Sequence, residues 1–338
     1  MKYILGLVVI VLMFVSCRNN KEPQTVTEEP AFEALEDTVI SIEFKESQIL
    51  LPFGGNLVVS KKLKPDTLFT HIRGIDNFTC GKDYLLYIPF PNKNEYNIIA
   101  VPMKCDGYTY RYVMLSVLRD SVISSLFIES ELLERGNKKN MEVTSFEINK
   151  DYQFKVTTMD QKNNSHFFDY KTYQINDQGI FEVVPEQLVT TNSKCFRSNS
   201  NVSYPIVSDD LLSLDYSIFT CSNIEGMKNY DCHDGINYLT LKKTDDDKYY
   251  VLIYSECGDF SYADLLVIQN GRVISGLTID TATYDDGNSE NLSGEETTFA
   301  IDEDMSIHLT HTIIKRGDAV SASKESYKIS KDGRFVKV

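Results

Sequence analysis

Along most of the chain, apolar and polar residues alternate at every second position, the period of a half-buried β-strand. Phe146 and Ile148, then Tyr152, Phe154 and Val156, form one such series, with Asn149 to Asp151 supplying the turn inside it. Tyr173 and Ile175 lead through Asp177-Gln178-Gly179 to Phe181 and Val183. Tyr327, Ile329, Asp332-Gly333, Phe335 and Val336 repeat that device. Both read as hairpins closed by a glycine, which accepts positive φ without steric cost. One stretch, SSLFIESELLERG at 124–136, looks helical in isolation. Elsewhere no segment sustains a 3.6-residue period over three turns, so the pattern predicts an all-β, antiparallel fold.

The pattern is also written twice. FEINKDYQFKVTT (146–158) aligns with FAIDEDMSIHLTH (299–311), 153 residues later, and YQINDQGIFEVV (173–184) with YKISKDGRFVKV (327–338), 154 later. Val122-Ile123-Ser124 matches Val273-Ile274-Ser275 at 151, and Tyr84-Leu85 matches Tyr238-Leu239 at 154. Four matches in one order with little drift indicate an internal duplication. The expected architecture is two tandem homologous antiparallel β-rich lobes, each a sandwich or barrel, with a single β-propeller-like ring as the alternative. Copy one spans 40–184, a linker and the start of copy two occupy 185–206, and the second lobe runs 207–338. The counterpart of 124–136 is the Thr-rich SGLTIDTATYDDG (275–287), so the helical-looking segment is expected to begin as a strand.

The N-terminus breaks the alternation. Lys2 precedes an unbroken apolar run, Ile4 to Val15. This run is shorter than the roughly 20 residues of a spanning helix, and it fits the apolar core of a secretory signal peptide. Phe14, Val15, Ser16 and Cys17 follow the order apolar, small, small, cysteine. Residues 1–17 therefore resemble a bacterial lipoprotein signal with its lipobox. The resemblance implies a signal peptide over 1–16 and cleavage before Cys17. It also implies a diacylglyceryl group on that sulfur and acylation of the new amino group. Several acyl chains anchor stably, at about 0.8 kcal/mol per buried methylene. The implied location is the bacterial cell envelope, at the outer membrane, facing the periplasm or the surface. The polar segment after Cys17, with Pro23 and Pro30, reads as a lipidated tether over 17–39.

Composition adds limits. The chain has 338 residues, enough for about two domains. With 34 basic and 49 acidic residues its net charge is −15, which argues against a nucleic-acid partner. Setting Cys17 aside leaves Cys80, Cys105, Cys195, Cys221, Cys232 and Cys257, an even set in an exported protein. Cys80 and Cys232 lie 152 residues apart, as do Cys105 and Cys257. Each within-copy pair flanks two apolar runs and a turn, and a hairpin brings its ends together. The spacing therefore predicts Cys80–Cys105 and Cys232–Cys257, each closing a hairpin at its base and contributing around 3 kcal/mol. The remaining two give Cys195–Cys221; their copy-one equivalents, Glu43 and Phe69, are jointly non-cysteine.

Catalytic signatures are sparse. The five histidines are His71, His166, His233, His308 and His311, and the last two fall on opposite faces of a predicted strand, a poor metal pair. The loop around Asp285, Asp286, Asn288, Glu290 and Asn291 lacks EF-hand spacing and reads as a solvated acidic turn. No phosphate loop, G-x-S-x-G elbow or H-E-x-x-H helix occurs. No catalytic residue, metal ligand or cofactor is nominated. The expected function is a lipid-anchored, non-catalytic binding or scaffolding module for a protein or glycan ligand. The alternatives are a hydrolase of envelope or environmental polymers and an inhibitor or immunity-type protein for a basic partner.

Overall fold

The computed structural model describes residues 42–55, 57, 65–68, 71–103, 110–133, 140–185, 195–196, 202–221, 224–231, 235–244, 246–257, 260–284 and 293–338. The signal segment, the tether and Cys17 lie outside the described residues. Copy one contributes β1 (Phe53–Gly54), β2 (Asp66–Leu68), β3 (Leu85–Lys93), β4 (Tyr96–Met103), β5 (Tyr110–Leu118), β6 (Ser121–Leu133), β7 (Met141–Ile148), β8 (Gln153–Lys162), β9 (Ser165–Ile175) and β10 (Phe181–Val183). Copy two contributes β11 (Ile206–Val207), β12 (Ser217–Ile218), β13 (Asn237–Lys243), β14 (Tyr249–Cys257), β15 (Phe260–Gln269), β16 (Arg272–Tyr284), β17 (Gly294–Ile301), β18 (Ile307–Lys315), β19 (Asp318–Ile329) and β20 (Phe335–Lys337). The fold is all-β and antiparallel, and its sheet stays open rather than closing into a propeller ring. The stretch that looks helical in isolation is strand through Leu133.

The two copies repeat one another strand by strand. β3 to β10 form a meander of sequential neighbours, and β13 to β20 form the same meander. β1 adds to β7 through Phe53 opposite Ile148, and β11 adds to β17 through Ile206 opposite Ile301. Irregularities recur too. The β5–β6 ladder slips between Tyr112 and Val113, and the β15–β16 ladder between Ala263 and Asp264. Tyr152 and Met305, each closing the predicted turn before the next strand, both adopt positive φ, 59° and 64°. So do the hairpin glycines Gly179 and Gly333, at 74° and 84°.

One sequence match needs correction. Tyr238 pairs with Ser217 on β12 as Tyr87 pairs with Asp66 on β2, so Tyr238 corresponds to Tyr87 and not Tyr84. A Tyr-Leu dipeptide three residues away produced the false register. The other three matches stand in the strand register.

Each copy folds its meander into two layers. β6 pairs with β5 over most of its length and passes to β7 only from Ser130 onward, so one long strand turns the corner. Between the layers of copy one lies a core of Ile88, Ile98, Met114, Ile128, Ile148 and Phe154. Its equivalent in copy two includes Leu239, Leu252, Leu265, Ile279, Ile301 and Ile307. The outer face of the first layer is covered as well, by Ile72 and Ile75 in copy one and by Ile224 and Met227 in copy two. The central strands are therefore buried on both faces, and β15 reads as a continuous apolar run broken by one acid, Asp264.

The copies meet along one seam. Ser165, His166 and Phe167 of β9 pair with Leu277, Gly276 and Ser275 of β16. The Thr278 N–H donates to the Asn164 carbonyl at 2.9 Å, the Tyr170 hydroxyl donates to the Val273 carbonyl at 2.9 Å, and Lys155 pairs with Glu225 at 2.7 Å. Phe168 and Tyr170 of copy one complete the outer core of copy two. The reverse pairing does not form among the described residues. Ser125, the equivalent of Gly276, is exposed, and so are residues 318–324 of β19, where a bulge at Val320 interrupts the ladder. Such a bulge blunts an open sheet edge.

Cys195 and Cys221 form the expected disulfide, with Cα atoms 5.6 Å apart. Cys80 is disulfide-bonded, but its predicted partner Cys105 lies outside the described residues, as do Cys232 and the Cys257 side chain. Non-reducing peptide mapping should recover 80–105, 195–221 and 232–257 crosslinks; alkylation of any of these six in native protein contradicts its pairing. Gly276 tests the seam, because a Cβ there would sit 2.2 Å from His166 Nε2. Gly276→Ala should cost about 1–3 kcal/mol in denaturant unfolding. Most of that cost should vanish in the His166→Ala background, whereas simple additivity would place the clash elsewhere.

Candidate ligand-binding cleft

The seam leaves a cleft beside it, walled by β7, β8 and β9 of copy one and by β15, β16 and the turn at Met227–Tyr230 of copy two. A cavity of about 430 Å³, called inner for its place at Asp264, is lined by Gln161, Asn164, His166 and Phe168 from copy one and by Tyr230, Tyr262, Asp264 and Thr278 from copy two. An outer chamber of about 640 Å³ carries Lys155, Lys228 and Arg272 together with Glu147 and Glu225. The two share Ser145, Thr157 and Asn229, so they run into one another.

Asp264 is the feature that most needs explaining. It is 4% exposed and lies opposite Thr278, whose hydroxyl donates to Oδ1 at 2.7 Å. In copy one the equivalent cross-strand pair is Val113 opposite Phe127, with the Arg111 guanidinium over the Phe127 ring. An apolar pair in one copy is thus matched by an acid and a hydroxyl in the copy whose pair lines the cleft. Carboxylates shared by both copies behave differently. Glu129 accepts the Leu57 N–H at 2.9 Å, and its equivalent Asp280 accepts a Ser208 hydroxyl. Those two tie down the incoming segment of each copy, a structural role that Asp264 does not share.

His166 stands across the cavity. Its Nε2 is hydrogen-bonded to the Tyr230 hydroxyl, and its ring stacks on Tyr230 with centroids 6.0 Å apart. Burial lowers the imidazole to about 4, so it is neutral near pH 7. Burial, reinforced by the charge of Asp264, pushes the Tyr230 phenol well up. Burial also pushes the Asp264 carboxyl up to about 6, against the opposing pull of the Thr278 hydrogen bond. The inner cavity is therefore an uncharged aromatic pocket with one carboxyl that titrates near neutrality.

Of the sites read from the sequence, Cys195 and Cys221 come together, while Cys17, Cys105 and Cys232 lie outside the described residues. The acidic loop 285–292 and His233 also lie outside them. His308 bonds Asp302 and Ser326 at the surface, whereas the half-buried His311 bonds Thr297 and reaches Glu325 at 3.7 Å and Asn164 of copy one at 3.5 Å, so the two serve separate networks. No group of metal-ligating side chains occurs among the described residues. Sequence reasoning missed Asp264 and Thr278. The signal that could have found them is the alignment of YADLLVI in copy two with RYVMLSV in copy one, which sets an acid against a valine. No protein-family model matches this chain, and no curated protein or solved structure does either.

The raised Asp264 value has a signed consequence for stability. A carboxyl that is harder to ionise when folded supports the fold below about pH 4 and loses that contribution as pH rises through 6. His166, lowered, acts oppositely and loses its contribution as pH falls through 4, so the two offset between pH 4 and 6. Asp264→Asn should match wild type near pH 4 and exceed it by up to about 3 kcal/mol near pH 7. Parallel denaturation midpoints across that range would contradict the burial.

Proposed function

We propose that this chain is a lipid-anchored lipoprotein of the bacterial envelope, held at the outer membrane through Cys17, whose two repeats form a non-catalytic binding module. The ligand, a partner protein, a glycan or a small molecule from either, occupies the cleft between the repeats. The observation that carries this reading is the Asp264–Thr278 pair standing where copy one has Val113–Phe127. Duplicated cores diverge freely on their surfaces, but a buried acid costs stability and persists where it serves a ligand. Asp264 is the one carboxylate among the described residues lining the inner cavity, an arrangement better suited to binding than to paired-carboxylate hydrolysis. Among the described residues no helix is long and apolar enough to cross a membrane, and the proposed anchor is the lipid.

Restoring the copy-one residues tests the cleft. Protein recovered from its native envelope should carry a bound species by native mass spectrometry or crosslinking. The double substitution Asp264→Val, Thr278→Phe should lose that species while unfolding as cooperatively as wild type. Retention of the same species by the double variant would move the site elsewhere. The anchor has its own check: Cys17→Ser should abolish incorporation of labelled palmitate and release the protein from the membrane fraction, and continued membrane retention would refute it.

A further inference from the structure

The reading of the cleft as a ligand site leaves the ligand's chemistry open, and the inference drawn here rests on that reading. We propose that the inner cavity binds an organic monoamine, with the ammonium group placed against Asp264 and enclosed by the rings of Phe168, Tyr230 and Tyr262. Among the described residues the carboxyl receives one hydrogen bond, from Thr278, which leaves most of its acceptor capacity for a ligand. Among the described residues no lysine or arginine lines the inner cavity, and its single imidazole is neutral. The groups facing Asp264 are His166 on β9, Tyr230 on the 227–230 turn, Tyr262 on its own strand and Thr278 on β16. β14 places Ile253 opposite it, and β7 and β8 contribute Val143, Ser145, Thr157, Met159 and Gln161 to the wall, none of them titratable.

A cation entering this pocket gains three things. It completes the ion pair that the buried carboxyl lacks, in surroundings of low dielectric. Aromatic faces attract it through their quadrupoles, as in ammonium-binding aromatic cages. Gln161, Asn164 and Asn229 offer carbonyl oxygens to the remaining ammonium hydrogens. About 430 Å³ suits a small molecule. The outer chamber sets Lys155, Lys228 and Arg272 against Glu147 and Glu225, with Lys155 already paired to Glu225, and the surplus of one positive charge disfavours a second ammonium there. A single ammonium on an otherwise uncharged body fits better than a polyamine. The net charge of −15 raises the local concentration of such cations around the molecule.

The test is calorimetric titration of the full mature lipoprotein in detergent with n-butylamine, with choline, and with N-acetylglucosamine as the neutral comparison. n-Butylamine should bind, choline should bind more weakly because its nitrogen carries no hydrogens for Gln161, Asn164 and Asn229, and the sugar should not bind. Because Asp264 must ionise, cation affinity should be about tenfold weaker at pH 5 than at pH 7.5. Asp264→Asn should abolish cation binding without lowering the melting temperature. Asp302→Asn, a carboxylate outside the cleft that pairs with His308, should retain cation binding. Sugar binding without cation binding, cation binding that is indifferent to pH, or cation binding that survives in Asp264→Asn would each overturn the proposal. If cations fail to bind while the envelope species is still lost in the Asp264→Val, Thr278→Phe variant, the amine assignment falls and the cleft reading stands. If that species is also retained, both fall.

Discussion

The short antiparallel ladder between β9 and β16 fixes the relation of the two repeats, and the special chemistry of the molecule lies beside it. Among the described residues the ladder is made in one direction only. His166 fits against copy two because Gly276 has no Cβ, whereas the equivalent serine of copy one lies exposed. A sheet edge that would otherwise be open is closed by the sister repeat, and the far edge is guarded by the Val320 bulge. The pairing also brings Phe168 and Tyr170 over the outer face of β15, which puts that strand under cover on both sides.

Burial on both sides gives Asp264 its properties. In an ordinary two-layer sandwich an acid at this register would face water and titrate near the value for free aspartate. Here it faces Tyr230 and Tyr262 of its own repeat and His166 and Phe168 of the other, and its ionisation is opposed by desolvation rather than assisted by a partner cation. Duplication supplies an internal control. Glu129 and Asp280 occupy equivalent places and both hold an incoming segment, so they belong to the architecture that the repeats share. Asp264 and Thr278 have apolar equivalents, so the shared architecture does not require them.

The repeat, the strand periodicity, the Asp-Gly hairpin and the Cys195–Cys221 bridge were legible in the sequence, because each depends on local chemistry or on spacing within a copy. The alignment slipped at Tyr84 for a physical reason: loop lengths differ between copies, so a dipeptide match carries no register until the ladders are known. Asp264 was hidden for another reason. Period-two alternation assumes one wet face, and an acid within YADLLVI then reads as solvent-facing. Cover from the 224–230 segment of the same repeat, together with Phe168 and Tyr170 of the other, removes that wet face, and no pattern along one strand reveals that distant segments pack over it.

Direct observation of the Asp264 carboxyl tests the account at its centre. Carbon-13 NMR of the aspartate-labelled full chain, with the resonance assigned by its disappearance in Asp264→Asn, reports its titration residue by residue. A midpoint near pH 6 is expected if the two repeats close over it as described. A midpoint near the free-aspartate value of about 3.9 would mean that the carboxyl is open to water, and the cleft as built from the seam would not exist.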